Sequence, residues 1–234
     1  MTSIMSSLSD TADIHVVPLE NEDIPICFQV LSKSFGHNAP FVDVYFPDHD
    51  TPAGQAQGSK RLTSWKDGSL SSTFLKAVAS NSYSGTDTIV GLAIWTLMKT
   101  PPPAAIEEAE NVEEVWPDKQ DREFMSQLWK QYVIPRTETI KASGGKGVYV
   151  LELLAVHPEY QGLGAGTKLV MWGTEKATDL GVKAVVESTP AGRRVYEKCG
   201  LRVEIEEMHF GVGEEFADRA KPKLIFLTKE PGSS

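Results

Sequence analysis

The chain has 234 residues, of which 41% are hydrophobic, 24% charged and 9% aromatic, and this composition excludes a mostly disordered or fibrous protein. The length suits a single large domain. The formal net charge is −9, so the chain lacks the excess of positive charge that is typical of a nucleic-acid-binding protein.

The N-terminal segment and the two cysteines indicate the compartment. Residues 1–12 are polar and lack the basic and apolar stretches of a secretory signal, so we expect a flexible tail. The longest apolar runs are too short to span a bilayer. Cys27 and Cys199 are far apart without metal-ligand spacing, which favours a reducing compartment and no bound metal. We therefore expect a soluble cytoplasmic protein with no membrane or nucleic-acid partner.

The next segments predict a strand and a helix. Residues 13–19 (DIHVVPL) predict the strand. Residues 21–36 begin with cap-type residues and end in glycine, which predicts a helix with Ile26, Val30 and Phe35 near one face.

Turn-forming and apolar segments alternate further along. The aromatic segment 40–48 (PFVDVYFPD) predicts a short helix or a turn, and the glycine, proline and serine residues of 49–60 predict a loop. Residues 72–80 and 86–99 predict an antiparallel hairpin, joined by the turn-rich residues 81–85.

Residues 101–146 differ in composition, because they are acidic and rich in proline. Within them, Phe124, Leu128 and Tyr132 recur every four residues, which predicts a helix followed by a bend at Pro135. We interpret the whole segment as an insertion that forms, together with the aromatic residues 35–46 (FGHNAPFVDVYF), a wall or lid of an acceptor pocket.

The most regular pattern begins at residue 148. Residues 148–156 (VYVLELLAV) predict a central strand that is buried on both faces. A glycine-rich loop follows, and then a helix that stops at Gly181. The apolar stripe of that helix is Leu169, Val170, Ala177 and Leu180. The remaining elements are a strand at 182–189, a helix at 191–200, and strands at 201–212 and 223–230.

The glycine loop, residues 161–166 (QGLGAG), lies between a strand and a helix, where backbone N–H groups converge on an anion. A Walker loop requires Gly-Lys-Ser/Thr, whereas Thr167 and Lys168 follow Gly166. The dinucleotide fingerprint has its third glycine where Thr167 stands. Both nucleotide loops are excluded, and an ordinary turn before a helix is the remaining alternative to an anion site.

Together with its flanks, the loop resembles the GNAT superfamily of acyl-CoA-dependent N-acyltransferases. Gln161, Gly164 and Gly166 match the Q-x-x-G-x-G pattern, after a strand that resembles the fourth strand of the family. Tyr196 and Gly200 match the Tyr-x-x-x-Gly ending of the helix that follows its fifth strand. Thr189 departs from the usual Asn, which puts one CoA or water contact in doubt, whereas Gly192 and Leu201 replace the usual Ala and Phe as packing changes.

The resemblance covers residues 148–201 and implies the fold. We expect an α/β (α+β) architecture, with one domain at 13–230 that contains the insertion at 101–146. Its mixed, mostly antiparallel sheet would have splayed central strands flanked by helices.

The resemblance also implies acetyl-CoA as a cosubstrate. The pyrophosphate would lie on the loop amides and the pantetheine arm along the end of the fourth strand, where partial positive charge and close backbone approach favour an anion. The implied cofactor-binding residues are Leu154, Ala155, Val156, Gln161, Gly162, Leu163, Gly164, Ala165, Gly166, Thr167 and Thr189.

Acetyl transfer to an amine needs a base and an acid. Glu152 is the base candidate, since it is a lone carboxylate in an apolar strand; an ordinary hydrogen-bonded glutamate is the alternative, and Glu187 is the second candidate. His157 precedes a proline and is expected in a loop. Tyr196 matches the family's acid, and a packing aromatic is its alternative. Arg193 and Arg194 are candidates to reach a CoA phosphate, and exposed helix arginines are the alternative.

We therefore expect an acetyl-CoA-dependent N-acetyltransferase that acts on the primary amine of a small molecule by direct attack in a ternary complex. The alternatives are a peptide or protein N-acetyltransferase and a non-catalytic acyl-CoA-binding regulatory module. The sequence leaves the acceptor and the oligomeric state open.

Overall fold

The structure, a computed structural model, describes residues 12–81, 86–106 and 112–233. Its strands are β1 (Ala12–Pro18), β2 (Ser72–Asn81), β3 (Thr86–Met98), β4 (Val148–Val156), β5 (Lys183–Ser188), β6 (Arg202–Ile205) and β7 (Ile225–Lys229). Its α-helices are α1 (Ile24–Phe35), α2 (Pro40–Tyr45), α3 (Pro52–Gly68), α4 (Val112–Val115), α5 (Lys119–Tyr132), α6 (Ile134–Ala142), α7 (Ala165–Asp179) and α8 (Arg193–Lys198). Residues 1–11 of the tail predicted at 1–12, most of the predicted turn at 81–85, and residues 107–111 lie outside the described residues, whereas Ala12 is the first residue of β1.

The strands form one sheet in the order β1-β2-β3-β4-β5-β7-β6. Neighbouring strands are antiparallel except β4 and β5, which are parallel. The pairing of β4 with β5 ends at Leu151 and Val186, although β4 continues to Val156. These two central strands therefore separate at their carboxyl ends, and the predicted mixed sheet with splayed central strands is confirmed.

Helices cover both faces of the sheet. α7 packs on one face, where the ring of Trp95 leaves no room for a side chain at Gly173: a Cβ there would lie 1.9 Å from the ring. α1 packs on the other face through Ile24, Phe28 and Leu31. No helix among the described residues is long and apolar enough to cross a membrane.

The loop predicted at 49–60 is wrong, because most of it belongs to α3. Thr51 caps this helix by accepting a hydrogen bond from the Gly54 N–H at 3.1 Å, and Pro52 occupies its first turn. The glycines serve packing: a Cβ on Gly58 would lie 1.9 Å from the ring of Phe28. The glycine content of this segment predicted a loop, whereas the glycines are needed because the helix packs closely on its neighbours.

In each of two helices, one residue that was predicted to lie on the apolar face is exposed instead. Ile26 is 49% exposed, because the buried stripe of α1 runs through Ile24, Cys27, Phe28 and Leu31 instead. Leu180 is 41% exposed at the C-terminal cap of α7. The strand predicted at 201–212 is also too long, since β6 ends at Ile205. The stripe of α5 is confirmed, with all three of its predicted residues buried.

Candidate active site

The separation of β4 from β5 opens a cleft of about 1420 Å³. Its walls come from the carboxyl ends of both strands, the glycine loop, and parts of α2, α5 and α8. Ligand sites of α/β proteins commonly lie in such a crevice beyond the carboxyl ends of strands. The cleft is large enough to hold two small molecules together.

Glu152 occupies a β-bulge at the point where the two strands part. Leu151 pairs with Trp95 and Leu153 pairs with Ile94, so Glu152 is the extra residue of β4 with no partner on β3. A bulge redirects the side chain at its position, and bulges are common next to active sites. Here it brings the Glu152 side chain to the cleft lining.

The side chain of Arg136, on α6, joins the two carboxylates named as base candidates. Its Nη1 lies 3.2 and 3.0 Å from the two carboxylate oxygens of Glu152. Its Nε donates to one oxygen of Glu187 at 2.9 Å, and its Nη2 donates to the other at 2.6 Å. Nη2 also donates to the hydroxyl of Tyr132 at 2.9 Å. We call Arg136, Glu152, Glu187 and Tyr132 the Arg136 cluster.

The cluster carries one more negative than positive charge when both carboxyls are ionised. The contacts of Arg136 match its five N–H donors, so the guanidinium has no donor left for a ligand. The side chain of Glu187 is fully buried, whereas that of Glu152 is 12% exposed. Burial raises the pKa of Glu152, and the charge of Arg136 opposes that rise. Glu152 is therefore the carboxyl of the cluster that is open to a proton or a cation from the cleft.

One section of the cleft is lined by aromatic rings, which we call the aromatic wall: Phe41, Tyr45, Trp129 and Tyr132. The ring centroids of Phe41 and Tyr132 lie 4.5 Å apart, and those of Trp129 and Tyr132 lie 5.7 Å apart. Arg61 lies over the ring of Tyr45 at 4.6 Å and also donates to its carbonyl oxygen. The wall is thus braced on both sides and adjoins the Arg136 cluster through Tyr132.

The glycine loop lines the other section of the cleft. Gly162 and Gly164 have φ angles of +81° and +95°, a region that residues with a Cβ enter only with strain. Gly164 is the N-cap of α7, so the free N–H groups of the first turn of that helix begin here. The side chain of Gln161 donates to the Val156 carbonyl at 3.2 Å and ties the loop to the end of β4.

Most of the predicted cofactor-binding residues line this cleft. They are Leu154, Val156, Gln161, Gly162, Gly164, Ala165, Gly166, Thr167 and Thr189. Two do not: the side chain of Ala155 is buried in the core beneath α1, and Leu163 is 36% exposed outside the lining. Their backbone groups remain at the strand end and in the loop, respectively.

Tyr196 also lines the cleft, from α8, and is 6% exposed. Burial raises its pKa above the usual value, opposed by a hydrogen bond with Ser188, so the phenol is protonated at neutral pH. Its ring requires glycine at position 192, because a Cβ there would lie 2.8 Å from the ring and 2.7 Å from Ser188 Oγ. Glycine therefore replaces the family's usual alanine at position 192 because the Tyr196 ring leaves no space for a methyl group.

The two arginines at the start of α8 have different surroundings. Arg193 pairs with Glu197 at 2.8 Å and Glu206 at 2.6 Å, and its side chain is 40% exposed. Arg194 contributes to the cleft lining. Arg193 is therefore an exposed arginine that pairs with surface carboxylates, whereas Arg194 is the arginine near the cleft.

Sequence reasoning missed Arg136. Two carboxylates in buried strands require a cation nearby, because an unpaired buried charge is costly. The sequence could therefore have predicted that a lysine or arginine pairs with them. It does not identify which of the 23 lysines and arginines is the partner. Arg136 lies on a helix of the segment 101–146, far from both glutamates in sequence.

Comparison with known proteins gives a family match for part of the chain. Residues 94–201 match the model of the acetyltransferase (GNAT) family. A sequence search of curated proteins gave no match.

Solved structures share the fold over nearly the whole chain. An arylalkylamine N-acetyltransferase-like protein (5b) from mosquito has a TM-score of 0.61 at 14% identity, covering 93% of this chain and 100% of its own. A histone acetyltransferase HPA2 and related acetyltransferase from Corynebacterium glutamicum has 0.58 at 17%, covering 96% and 98%. The yncA protein from Salmonella typhimurium, solved with its cofactor acetyl-CoA, has 0.53 at 14%, covering 94% and 95%. Residues 94–201 of this chain therefore match the GNAT acetyltransferase family, and the chain has the fold of these solved acetyltransferases.

Proposed function

We propose that this protein transfers the acetyl group of acetyl-CoA to the primary amine of a small molecule with an apolar or aromatic body, by direct attack in a ternary complex. The carrying observation is that Glu152, the partly exposed carboxyl of a cluster with two carboxyls and one arginine, lies in one cleft with both the glycine loop and the aromatic wall. We further propose that it works in the cytoplasm as one domain over residues 13–230.

Acetyl-CoA supplies the acetyl group. The loop amides of residues 162–167 and the N-terminus of α7 hold its pyrophosphate, because they present N–H donors and partial positive charge. The backbone of Leu154, Ala155 and Val156 holds the pantetheine arm beyond the point where β5 leaves β4. The side chain of Gln161 keeps the loop in place, and Thr189 contacts the cofactor from the end of β5.

Glu152 acts as the general base. An alkyl amine with a pKa near 10.4 is neutral in only about one molecule in 10³ at pH 7, a cost of roughly 4–5 kcal/mol. The raised pKa of Glu152 makes it a better proton acceptor than an exposed glutamate. The excess negative charge of the Arg136 cluster also attracts the ammonium form of the acceptor before that proton is lost.

Tyr196 acts as the general acid and donates its phenolic proton to the departing sulfur. From reference pKa values near 10 and 8.5, this transfer is uphill by about 2 kcal/mol. Burial raises the pKa of Tyr196. The same desolvation disfavours a thiolate in the cleft, so the pKa of the proton donor and the pKa of the proton acceptor both rise.

The aromatic wall supports an acceptor with an apolar body. Two of its four rings, Trp129 and Tyr132, come from the segment 101–146, which also contributes Pro102 and Pro103 to the lining. We propose that this segment is an insertion that shapes the acceptor side. Stacked and edge-to-face contacts with such rings favour aromatic or aliphatic bodies over charged ones.

The test measures thiol release from acetyl-CoA with a panel of acceptors: 2-phenylethylamine, an aliphatic diamine of similar length, and a short peptide with a free N-terminus. We expect the highest kcat/KM with 2-phenylethylamine. Phe41→Ala should raise KM for this amine more than for the diamine, because only the aromatic acceptor uses the wall. Preference for the peptide would favour the protein-acetylating alternative. Binding of acetyl-CoA without turnover on any acceptor would overturn the catalytic proposal.

A further inference from the structure

A second group of chemically active side chains lies outside the cleft lining, at the two ends of α2. His37 follows α1, Asp43 lies on α2, and His49 precedes α3. The Oδ1 atom of Asp43 is 3.0 Å from His37 Nδ1 and 3.2 Å from His49 Nε2. The three ligand-type atoms all lie within 4.8 Å of one another. We call these three residues the His37 cluster.

Each histidine is oriented through its other ring nitrogen. Nε2 of His37 lies 3.1 Å from Oδ2 of Asp50, and Nδ1 of His49 lies 2.9 Å from Oγ of Ser32. The carboxylates of Asp50 and Asp43 only accept hydrogen bonds, so a neutral His37, which has one N–H, donates to one of them; a metal-binding His37 would donate from Nε2 to Asp50. Paired contacts of this kind fix the tautomer of metal-binding histidines and leave the opposite nitrogen as the ligand.

In this tautomer, two hydrogen-bond acceptors face each other at the centre of the cluster. In neutral His37 the Nδ1 lone pair faces the Asp43 carboxylate oxygen at 3.0 Å, and two acceptors at that distance repel each other. A positive charge between them removes the repulsion. The charge is either a proton on His37 or a metal ion that all three residues share.

Two of the three distances between ligand-type atoms suit a tetrahedral metal ion, and the third, between the two histidines, is within 4.8 Å. Zinc binds histidine nitrogen and carboxylate oxygen at about 2.0–2.2 Å, so neighbouring ligand atoms of a tetrahedral site lie about 3.3 Å apart. The two contacts of Asp43 Oδ1 are close to this value. The His37 side chain is 65% exposed and that of His49 is 1% exposed, so a bound ion would keep a position open to water. Two imidazoles and one carboxylate favour zinc-like ions over magnesium or calcium, which prefer oxygen ligands.

We propose that His37, Asp43 and His49 form a binding site for a divalent transition-metal ion of the Zn²⁺ class, with Asp50 and Ser32 orienting the two histidines. The proposed role of this three-ligand site is to hold the segment around α2 in place. It fastens both ends of the segment that contains α2, and α2 carries Phe41 and Tyr45 of the aromatic wall. The expectation of no metal was based on the two cysteines and did not consider this cluster.

The test is calorimetric titration of the chelator-treated, full-length protein with Zn²⁺, together with the visible absorption of its Co²⁺ complex. We expect one saturable Zn²⁺ site per chain and no comparable binding of Mg²⁺. His37→Gln and Asp43→Asn should each weaken Zn²⁺ binding at least tenfold. Asp50→Asn should weaken it roughly tenfold to a hundredfold through the orientation of His37 alone. His209→Gln, which changes an exposed histidine elsewhere, is the matched control and should bind like the unmodified protein.

Thermal unfolding gives an independent readout. Zn²⁺ should raise the Tm of the unmodified protein but not that of the His37 or Asp43 variants, because only a ligand of the folded state stabilises it. Both variants change partly exposed side chains, and circular dichroism checks that they fold. The proposal is wrong if the unmodified protein shows no saturable site, which would mean that a proton holds the cluster together. It is also wrong if His37→Gln binds Zn²⁺ as tightly as the control.

Discussion

Glu187 accepts two hydrogen bonds from Arg136, at 2.9 Å from Nε and 2.6 Å from Nη2, in a fully buried ion pair. This pair neutralises Glu187 and leaves the charge of Glu152 at the edge of the cleft. The choice between the two carboxylates as base therefore depends on Arg136, which lies on α6, whereas the carboxylates lie on strands β4 and β5.

Replacing Arg136 with methionine should destabilise the protein by about 3–5 kcal/mol, because two buried carboxylates would lose their only shared cation among the described contacts. Arg193→Met is the matched control: it breaks two ion pairs of a 40% exposed side chain, which solvent screens, and should destabilise the protein far less. Urea unfolding of both variants measures the difference. Equal losses would show that the Arg136 cluster is not a buried network.

Glu152→Gln should lower kcat roughly 10²-fold to 10⁴-fold by removing the base. The pH dependence follows from the sign of the pKa shift. Since burial raises the pKa of Glu152 above 4.5, the active carboxylate is lost as the pH falls through that raised value, and activity falls with it.

Two acceptor amines with different pKa values separate this effect from titration of the acceptor. An acid limb that belongs to Glu152 stays at the same pH for both amines and disappears in Glu152→Gln. A limb that moves with the acceptor would assign it to the amine and remove the argument for Glu152.

Tyr196→Phe should lower kcat roughly 10²-fold while the Kd for acetyl-CoA stays nearly constant, because the ring remains and only the proton donor is lost. Tyr149→Phe is a suitable control, since this buried tyrosine also loses a hydroxyl contact, 3.2 Å from Thr73 Oγ1, but does not line the cleft. Steady-state kinetics on both variants checks this. If Tyr149→Phe lost as much activity, the effect would be structural.

Gly164→Ala should weaken acetyl-CoA binding, because the left-handed conformation at φ +95° costs a residue with a Cβ about 1–2 kcal/mol and the loop would relax away from it. Gly181→Ala introduces similar strain at φ +66°, just beyond the other end of the same helix. The control should lose stability without losing affinity, which calorimetry with acetyl-CoA and thermal unfolding can separate. Unchanged affinity in Gly164→Ala would contradict the loop assignment.

Gly58→Ala should destabilise the protein by roughly 1–3 kcal/mol, because its Cβ would lie 1.9 Å from the Phe28 ring. Gly68→Ala, at the end of the same helix, meets no atom within 4 Å and should be neutral or stabilising by up to about 1 kcal/mol. Denaturant unfolding compares the two. A neutral Gly58→Ala would show that α3 does not pack closely on α1.

The sequence alone determined those parts of the protein in which neighbouring residues act together. The strand at 148–156, the glycine loop and the helix containing Tyr196 were predictable, because periodicity, glycine spacing and helix stops are local properties. The resulting family and sheet architecture are confirmed. The role of each of these residues in catalysis remains a prediction.

Only the tertiary structure decided which distant groups meet. The glycines at 54 and 58 indicate a loop by composition, yet they allow α3 to pack against Phe28 and the backbone of Asp48. Arg136 is a lone arginine in sequence, and the fold places it between Glu152 and Glu187. Close packing and the pairing of buried charges depend on which side chains lie next to one another in space, and a sequence pattern does not contain that information.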